Sequence, residues 1–148
     1  KPVPTNLMSV AFLQVLGKLP NIKIFGRDYK TPDGTGVRDY IHPSDLATGH
    51  IKALEYLERK NTSGVFNLGT GNGSSVLEVI KSVEDASKNK VATVDAPRRS
   101  GDPSVSISDP SRAKDILGWV AKHDLSSMAK TAWNWHHTHP NGFKGNNQ

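Results

Sequence analysis

Cysteine is absent from the 148 residues and methionine occurs twice. The missing thiols exclude a disulfide framework, a thiolate metal site and a cysteine nucleophile together, and they suit a reducing cytoplasm, where the protein is expected. No apolar run approaches the roughly 20 residues that a bilayer requires. The longest, over 10–13, is short, and no basic start leads into an apolar stretch as in a secretory leader, so a soluble protein with no membrane partner is expected. No strand passes through G-x-G-x-x-G into a helix, and no G-x-x-x-x-G-K-S/T loop occurs, so a nucleotide-cofactor fingerprint is missing. Charge of neither sign is concentrated: 19 Lys plus Arg against 14 Asp plus Glu leave +5, without a basic run of five or six. That speaks against a nucleic-acid partner and suits a few arginines gathered on the phosphates of a small ligand. The chain opens at Lys1 rather than at methionine, and Pro2 and Pro4 give it the look of a connecting segment. It is expected to be a piece of something longer.

What is present suffices for a core. Hydrophobic residues make up 35% and charged residues 22%, which suits one α/β domain over 1–143 with a loose tail over 144–148. Asn6 can cap a helix over 7–16, with Gly17 and Pro20 as stops. Residues 22–25 and 37–41 read as strands joined by a tight, turn-rich loop over 31–36. Ser44 or Asp45 can cap the next helix, whose Leu46, Ala47, Ile51, Leu54 and Leu57 recur at three to four residue spacing as its apolar stripe, ending near Asn61. Residues 65–68 read as a short strand, and 69–73 (GTGNG) as a turn into a helix opened by the capping box Ser75 and Glu78. Further strands are expected over 90–95 and 105–107. Asp109 with Pro110 opens a helix closed by Gly118, and Asp124 caps a last helix that turns Leu125, Met128, Ala129, Ala132 and Trp133 inward. Short strands alternating with helices indicate an α/β domain of small mixed sheets.

Several groups have a bland reading that outweighs a chemical one. Gly69, Gly71 and Gly73 do not complete a dinucleotide loop, because Ser74 stands where the last glycine belongs. Tyr56 and Lys60 have Y-x-x-x-K spacing but are read as a solvated helix face. His136, His137 and His139 lack a carboxylate or thiolate partner and are read as a helix end, not a metal site. Arg38, on a strand after a glycine turn, and the loop 98–102 (RRSGD) differ. Two guanidinium forks, a glycine for close approach and a carboxylate for two hydroxyls suit a diphosphate joined to a ribose.

At these residues the sequence resembles the carboxyl-terminal part of the UDP-glucose 4-epimerases (UDP-galactose 4-epimerases) of the extended short-chain dehydrogenase/reductase family. The likeness runs through residues 6–8 (NLM), 24–26, 31–42 (TPDGTGVRDYIH), 45–47, 66–69 (FNLG), 75–79 (SVLEV), 97–102 (PRRSGD), Trp133 with Trp135, and 139–143. It implies a substrate-binding domain whose Rossmann half is absent from this chain. Asn6 and Leu7 would touch the nucleotide and sugar side of UDP, and the backbone of Lys23, Ile24 and Phe25 would frame uracil. Arg38 and Arg99 would neutralise the diphosphate, and Asp102 would hold the ribose hydroxyls. Ser106 would stand where the family gates the sugar pocket, and its small size implies acceptance of the N-acetylated sugars beside UDP-glucose and UDP-galactose. NAD, a Tyr-x-x-x-Lys pair and a Ser or Thr would belong to the missing amino-terminal half. The resemblance therefore implies an enzyme of galactose metabolism, cytoplasmic and homodimeric when whole, while the 148 residues would hold no NAD and would not turn over. Ser9 and Phe143 depart from the family's usual proline and tyrosine. The rivals are a non-catalytic UDP-binding or interaction module and a related nucleotide-sugar dehydratase or decarboxylase.

Overall fold

A computed structural model describes residues 4–142, so the expected tail over 144–148 lies outside the described residues. Among the described residues, strands and helices alternate through ten elements. Helix α1 (Leu7–Val15) is followed by β1 (Ile22–Phe25), β2 (Val37–Asp39), α2 (Pro43–Lys60), β3 (Gly73–Ser75) and α3 (Val76–Ser87). Strands β4 (Thr93–Ala96) and β5 (Val105–Ser106), a π-helical turn (Ala113–Leu117) and α4 (Leu125–Thr138) complete the order. Side chains at the expected places cap α1, α3 and α4: Asn6 accepts from Ser9 N–H, Asp124 accepts from Ser127 N–H, and Ser75 and Glu78 exchange both bonds of a capping box.

The strands form two sheets. β1 pairs in parallel with β4, while β2 lies between β3, antiparallel, and β5, parallel. The strands on either side of the 31–36 loop therefore belong to different sheets and do not pair with each other. The loop itself is tied down by Asp33, which accepts from Thr35 N–H at 2.9 Å, Thr35 Oγ1 at 2.7 Å and Ser75 Oγ at 2.5 Å. β3 occupies the end of what the glycine spacing suggests is only a turn. Residues 65–68 are not a strand, since no edge among the described residues pairs with them and Val65 is 80% exposed.

Two apolar clusters hold the fold. Ala11, Phe12, Ile22, Ile24, Ile80, Val83, Val91 and Ala129 join α1, α3 and α4 to β1, and Ala113, Leu117 and Trp119 pack beneath α2. Helix α2 reverses the sequence expectation. It turns Asp45, Gly49, Ala53 and Tyr56 inward and leaves Ile51, Leu54 and Leu57 largely exposed. Close approach is the reason, because a Cβ on Gly49 would stand 2.7 Å from a methyl of Leu68 and 3.3 Å from the Trp119 ring. Tyr56 accordingly packs edge-on against Phe66 rather than lying on a solvated face. The cap of α2 is the His42 ring, not Ser44 or Asp45.

Candidate functional site

The two sheets and the start of α1 enclose a cavity of about 400 Å³. Asn6, Leu7, Lys23, Phe25, Arg38, Arg99 and Asp102 line it, seven of the nine residues singled out from sequence. Asn6 spends its side-chain oxygen on the Ser9 N–H at 2.9 Å, which leaves the amide NH2 as the group free to donate. On β1 the alternation sorts the backbone. Ile22 N–H bonds Ala92 C=O and Gly26 N–H bonds Ala96 C=O on the β4 side, so Lys23 and Phe25 direct their amides and carbonyls to the strand's other edge. Ile24 is wholly buried in the core, so it contributes backbone position rather than a lining side chain.

The two arginines of the 97–102 loop do different work. Arg98 lies 4.1 Å over the Tyr29 ring and donates to Asp28 Oδ1 at 2.7 Å and to the Asp28 carbonyl, clamping the loop that precedes β2. Arg99 sits 4.8 Å over the Phe25 ring, and its Nε donates to Asp102 Oδ2 at 2.7 Å, which leaves the rest of its fork unspent. Gly101 has φ +83° with nothing within 4 Å of a built Cβ, so it serves the turn that returns Asp102 to the cavity and not a close approach.

Arg38 is the central residue of the mixed sheet, in register with Ser74 on one side and Ser106 on the other. Its Nη1 donates to Val37 C=O at 2.8 Å, beside Gly36, where a Cβ would come within 3.3 Å of that nitrogen. It has no carboxylate partner among the described residues, because neighbouring Asp39 is committed elsewhere. Asp39 accepts from Thr70 N–H at 3.1 Å, Thr70 Oγ1 at 2.5 Å, Gly71 N–H at 3.1 Å and the Ser108 hydroxyl. Burial pushes its pKa up, but these donors outweigh it and hold the carboxyl below its ordinary value. The half-buried guanidinium of Arg38 is thus left for an anion, with Lys23 and Arg99 nearby and only Asp102 opposing them in the cavity lining.

Tyr40 also lines the cavity and was not singled out from sequence, although alternation along the strand places Gly36, Arg38 and Tyr40 on one face. At 3.3 Å per residue these three span roughly 13 Å. Burial raises the Tyr40 phenol pKa against the opposing charge of Arg38, so the hydroxyl stays a donor at neutral pH. Ser106 stands elsewhere. It lines an adjoining cavity of about 350 Å³ with Arg38, Asn67, Ser108 and Asp109, so Arg38 is common to both spaces.

The glycine turn over 69–73 does not fit a dinucleotide. The Thr70 and Gly71 amides that a pyrophosphate would need are already bonded to Asp39, and a Cβ on Gly69 would meet Ser108 Oγ at 1.8 Å. The three histidines near the carboxyl end pack on aromatic rings: His136 on Phe12, His137 on Trp133 and His139 on Trp135.

The profile of the family described as GDP-mannose 4,6 dehydratase matches residues 2–132. A UDP-glucose 4-epimerase of Dictyostelium discoideum is 47% identical over 144 residues, covering 97% of this chain and 42% of that protein. One of Bacillus subtilis is 46% identical over 142 residues, 96% of this chain and again 42% of the relative. The crystal structure of a UDP-glucose 4-epimerase from Stenotrophomonas maltophila, with bound NAD and formylated UDP-arabinopyranose, superimposes with a TM-score of 0.91 at 44% identity, over 95% of this chain and 42% of that one. That of Bifidobacterium longum, in complex with NAD+ and UDP, gives 0.89 at 43% identity, over 97% and 42%. The chain therefore spans less than half the length of the relatives it matches.

Proposed function

The chain belongs to the GDP-mannose 4,6 dehydratase family, and from that premise we propose that it is the UDP-sugar-binding part of a UDP-glucose 4-epimerase acting in galactose metabolism. The observation that carries this reading is the convergence of Arg38, Arg99, Asp102 and the outer edge of β1 on one cavity. The edge amides and carbonyls at Lys23 and Phe25 complement the imide of uracil, and the Phe25 ring stacks below Arg99. Asp102 accepts from ribose hydroxyls, and the free fork of Arg38 neutralises the diphosphate. Such a grip leaves the hexose unrestrained. A 4-epimerase needs that freedom, because the ketosugar formed by hydride removal must turn over while it stays attached. No residue of this chain is assigned to NAD, which in a whole epimerase would be held by chain outside this sequence. The 148 residues are accordingly a UDP-sugar binder without turnover. Titration with UDP followed by calorimetry tests this: saturable binding is expected, and none at millimolar UDP would overturn it.

Two further expectations belong to this reading. The adjoining cavity beside Ser106 is the place for the hexose, and the small serine leaves room for an N-acetyl group. Ser106→Tyr should weaken UDP-N-acetylglucosamine about tenfold while changing UDP-glucose little, the effect of filling a pocket; equal losses for both ligands would remove Ser106 as a gate. Second, the outward face of α2 with Val65 is an apolar patch suited to the rest of a longer protein, the amino-terminal Rossmann half. In its absence the chain should self-associate through that patch. Sedimentation coefficients should rise with concentration, and Leu54→Lys should suppress the rise; a concentration-independent monomer would contradict this.

A further inference from the structure

His42 ends the segment that carries Arg38 and Tyr40 and opens α2. Its ring is held from several sides. Nδ1 accepts the Ser44 N–H at 3.1 Å, so that nitrogen must keep its lone pair, and the proton of the neutral ring lies on Nε2. Nε2 lies 2.9 Å from Thr131 Oγ1, whose own hydrogen is directed at the Ser127 carbonyl at 2.9 Å. The His123 ring stacks on His42 with centroids 4.2 Å apart, and His123 Nδ1 lies 3.0 Å from Asp45 Oδ1. Asp45, 3% exposed, also accepts the backbone N–H groups of Lys122 and His123 at 3.1 and 3.0 Å. One imidazole therefore has a carboxylate beside it, and the other has a helix cap that requires it to be neutral.

We propose that His42 is a proton-sensitive positioning residue. Neutral, it clasps the Arg38–Tyr40 segment to α2 and α4 and keeps the nucleotide cavity in its binding shape; protonated on Nδ1, it releases the cap and loosens that grip. The coupling to ligand rests on the nucleotide reading above. The groups facing the pair are Asp45 on α2, Lys122 beside His123 before α4, Asp124 at the α4 cap, His136 on α4 across a shared apolar cavity, and Tyr40 on the β2 side. Of the carboxylates, Asp45 acts on His42 and at the same time lies 3.0 Å from His123 Nδ1, while Asp124 accepts the Ser127 N–H at the α4 cap. A proton on Nδ1 would set a donor against the Ser44 N–H and a charge on the ring stacked against His123. Burial first, then the charge of His123, holds the pKa of His42 below its ordinary value despite Asp45. A depressed folded pKa makes the clasp complete above about pH 6.5 and progressively lost as the pH falls through the folded value.

UDP-glucose is the probe of choice because its diphosphate is a diester that does not titrate in this interval. The affinity of the 148-residue chain should fall about fivefold or more as the pH is lowered from about 7.5 through the range below about 6.5 in which His42 takes up its proton. His42→Asn retains a capping acceptor and cannot titrate, so it should bind within about twofold at the higher pH and lose the pH dependence. The same fall in His42→Asn, or none in the unaltered chain, would overturn the proposal. Hydrogen exchange at the Ser44 and Leu46 amides supplies a reading independent of nucleotide. Their opening should increase on acidification in the unaltered chain and not in His42→Asn, and flat exchange in both would overturn the clasp. If exchange behaves as expected but UDP-glucose does not bind even at the higher pH, the clasp stands and the nucleotide reading falls.

Discussion

Arg38→Ala should weaken UDP binding by about 2 to 3 kcal/mol, roughly 30- to 150-fold, and Arg99→Ala by about 1.5 kcal/mol, the range of charge-assisted hydrogen bonds. The difference follows from placement. Arg38 is half-buried in the middle of a three-stranded sheet, makes one hydrogen bond to Val37 C=O and has no carboxylate partner among the described residues. A diphosphate is the charge that its position lacks. Arg99 has a side chain 61% exposed and one donor already committed to Asp102, so solvent screens part of its contribution. Arg38→Lys should recover less than half of the loss, because an ammonium keeps the charge and forfeits the fork. Calorimetric titration of the three variants decides the matter. Unchanged affinity in Arg38→Ala would move the diphosphate out of this cavity and would also separate it from the space beside Ser106.

The residues that sequence reasoning located are those whose task is local. Asn6, Ser75 and Asp124 cap helices within three residues of themselves, and such caps leave a readable spacing. Strands β1, β2, β4 and β5 were legible from apolar runs between turns, but their pairing was not, since registers such as Ile22 with Thr93 depend on elements far apart in sequence. Residues 65–68 look like a strand because they are apolar, and no edge receives them among the described residues. Helix α2 misleads for a related reason. Its large apolar residues have the spacing of a core stripe, yet the contact with Leu68 and Trp119 needs the flat face at Gly49, so the large side chains turn outward. Seven of the residues singled out from sequence line one cavity of the structure. Tyr40 was missed although the two-residue step from Arg38 points to it, and the pairing of His42 with His123 has no sequence signal because tertiary packing alone brings the rings together.

Asp39→Ala should destabilise the fold by about 3 kcal/mol or more, on the scale of several hydrogen bonds to one charged acceptor lost together. The carboxylate ties together, beyond the strand pairing itself, the end of β2, the 69–73 turn that leads into β3, and the chain following β5 through the Ser108 hydroxyl. Without it the Thr70 and Gly71 amides lose their acceptor, and the sheet neighbours of Arg38 lose what aligns them. For a domain of this size the melting temperature should fall by roughly 10 °C. Asp39→Asn should not rescue it, because the amide keeps one oxygen and turns a donor toward other donors. The pH dependence has a definite sign. Since the folded pKa of Asp39 lies below its ordinary value, its contribution is present above about pH 4, the unfolded value, and is lost as the pH falls through the folded one. Acid should therefore destabilise the unaltered chain more steeply than Asp39→Ala in that window. Thermal melts of both across the acid range would show it, and parallel curves would mean that Asp39 is not the joint of the mixed sheet.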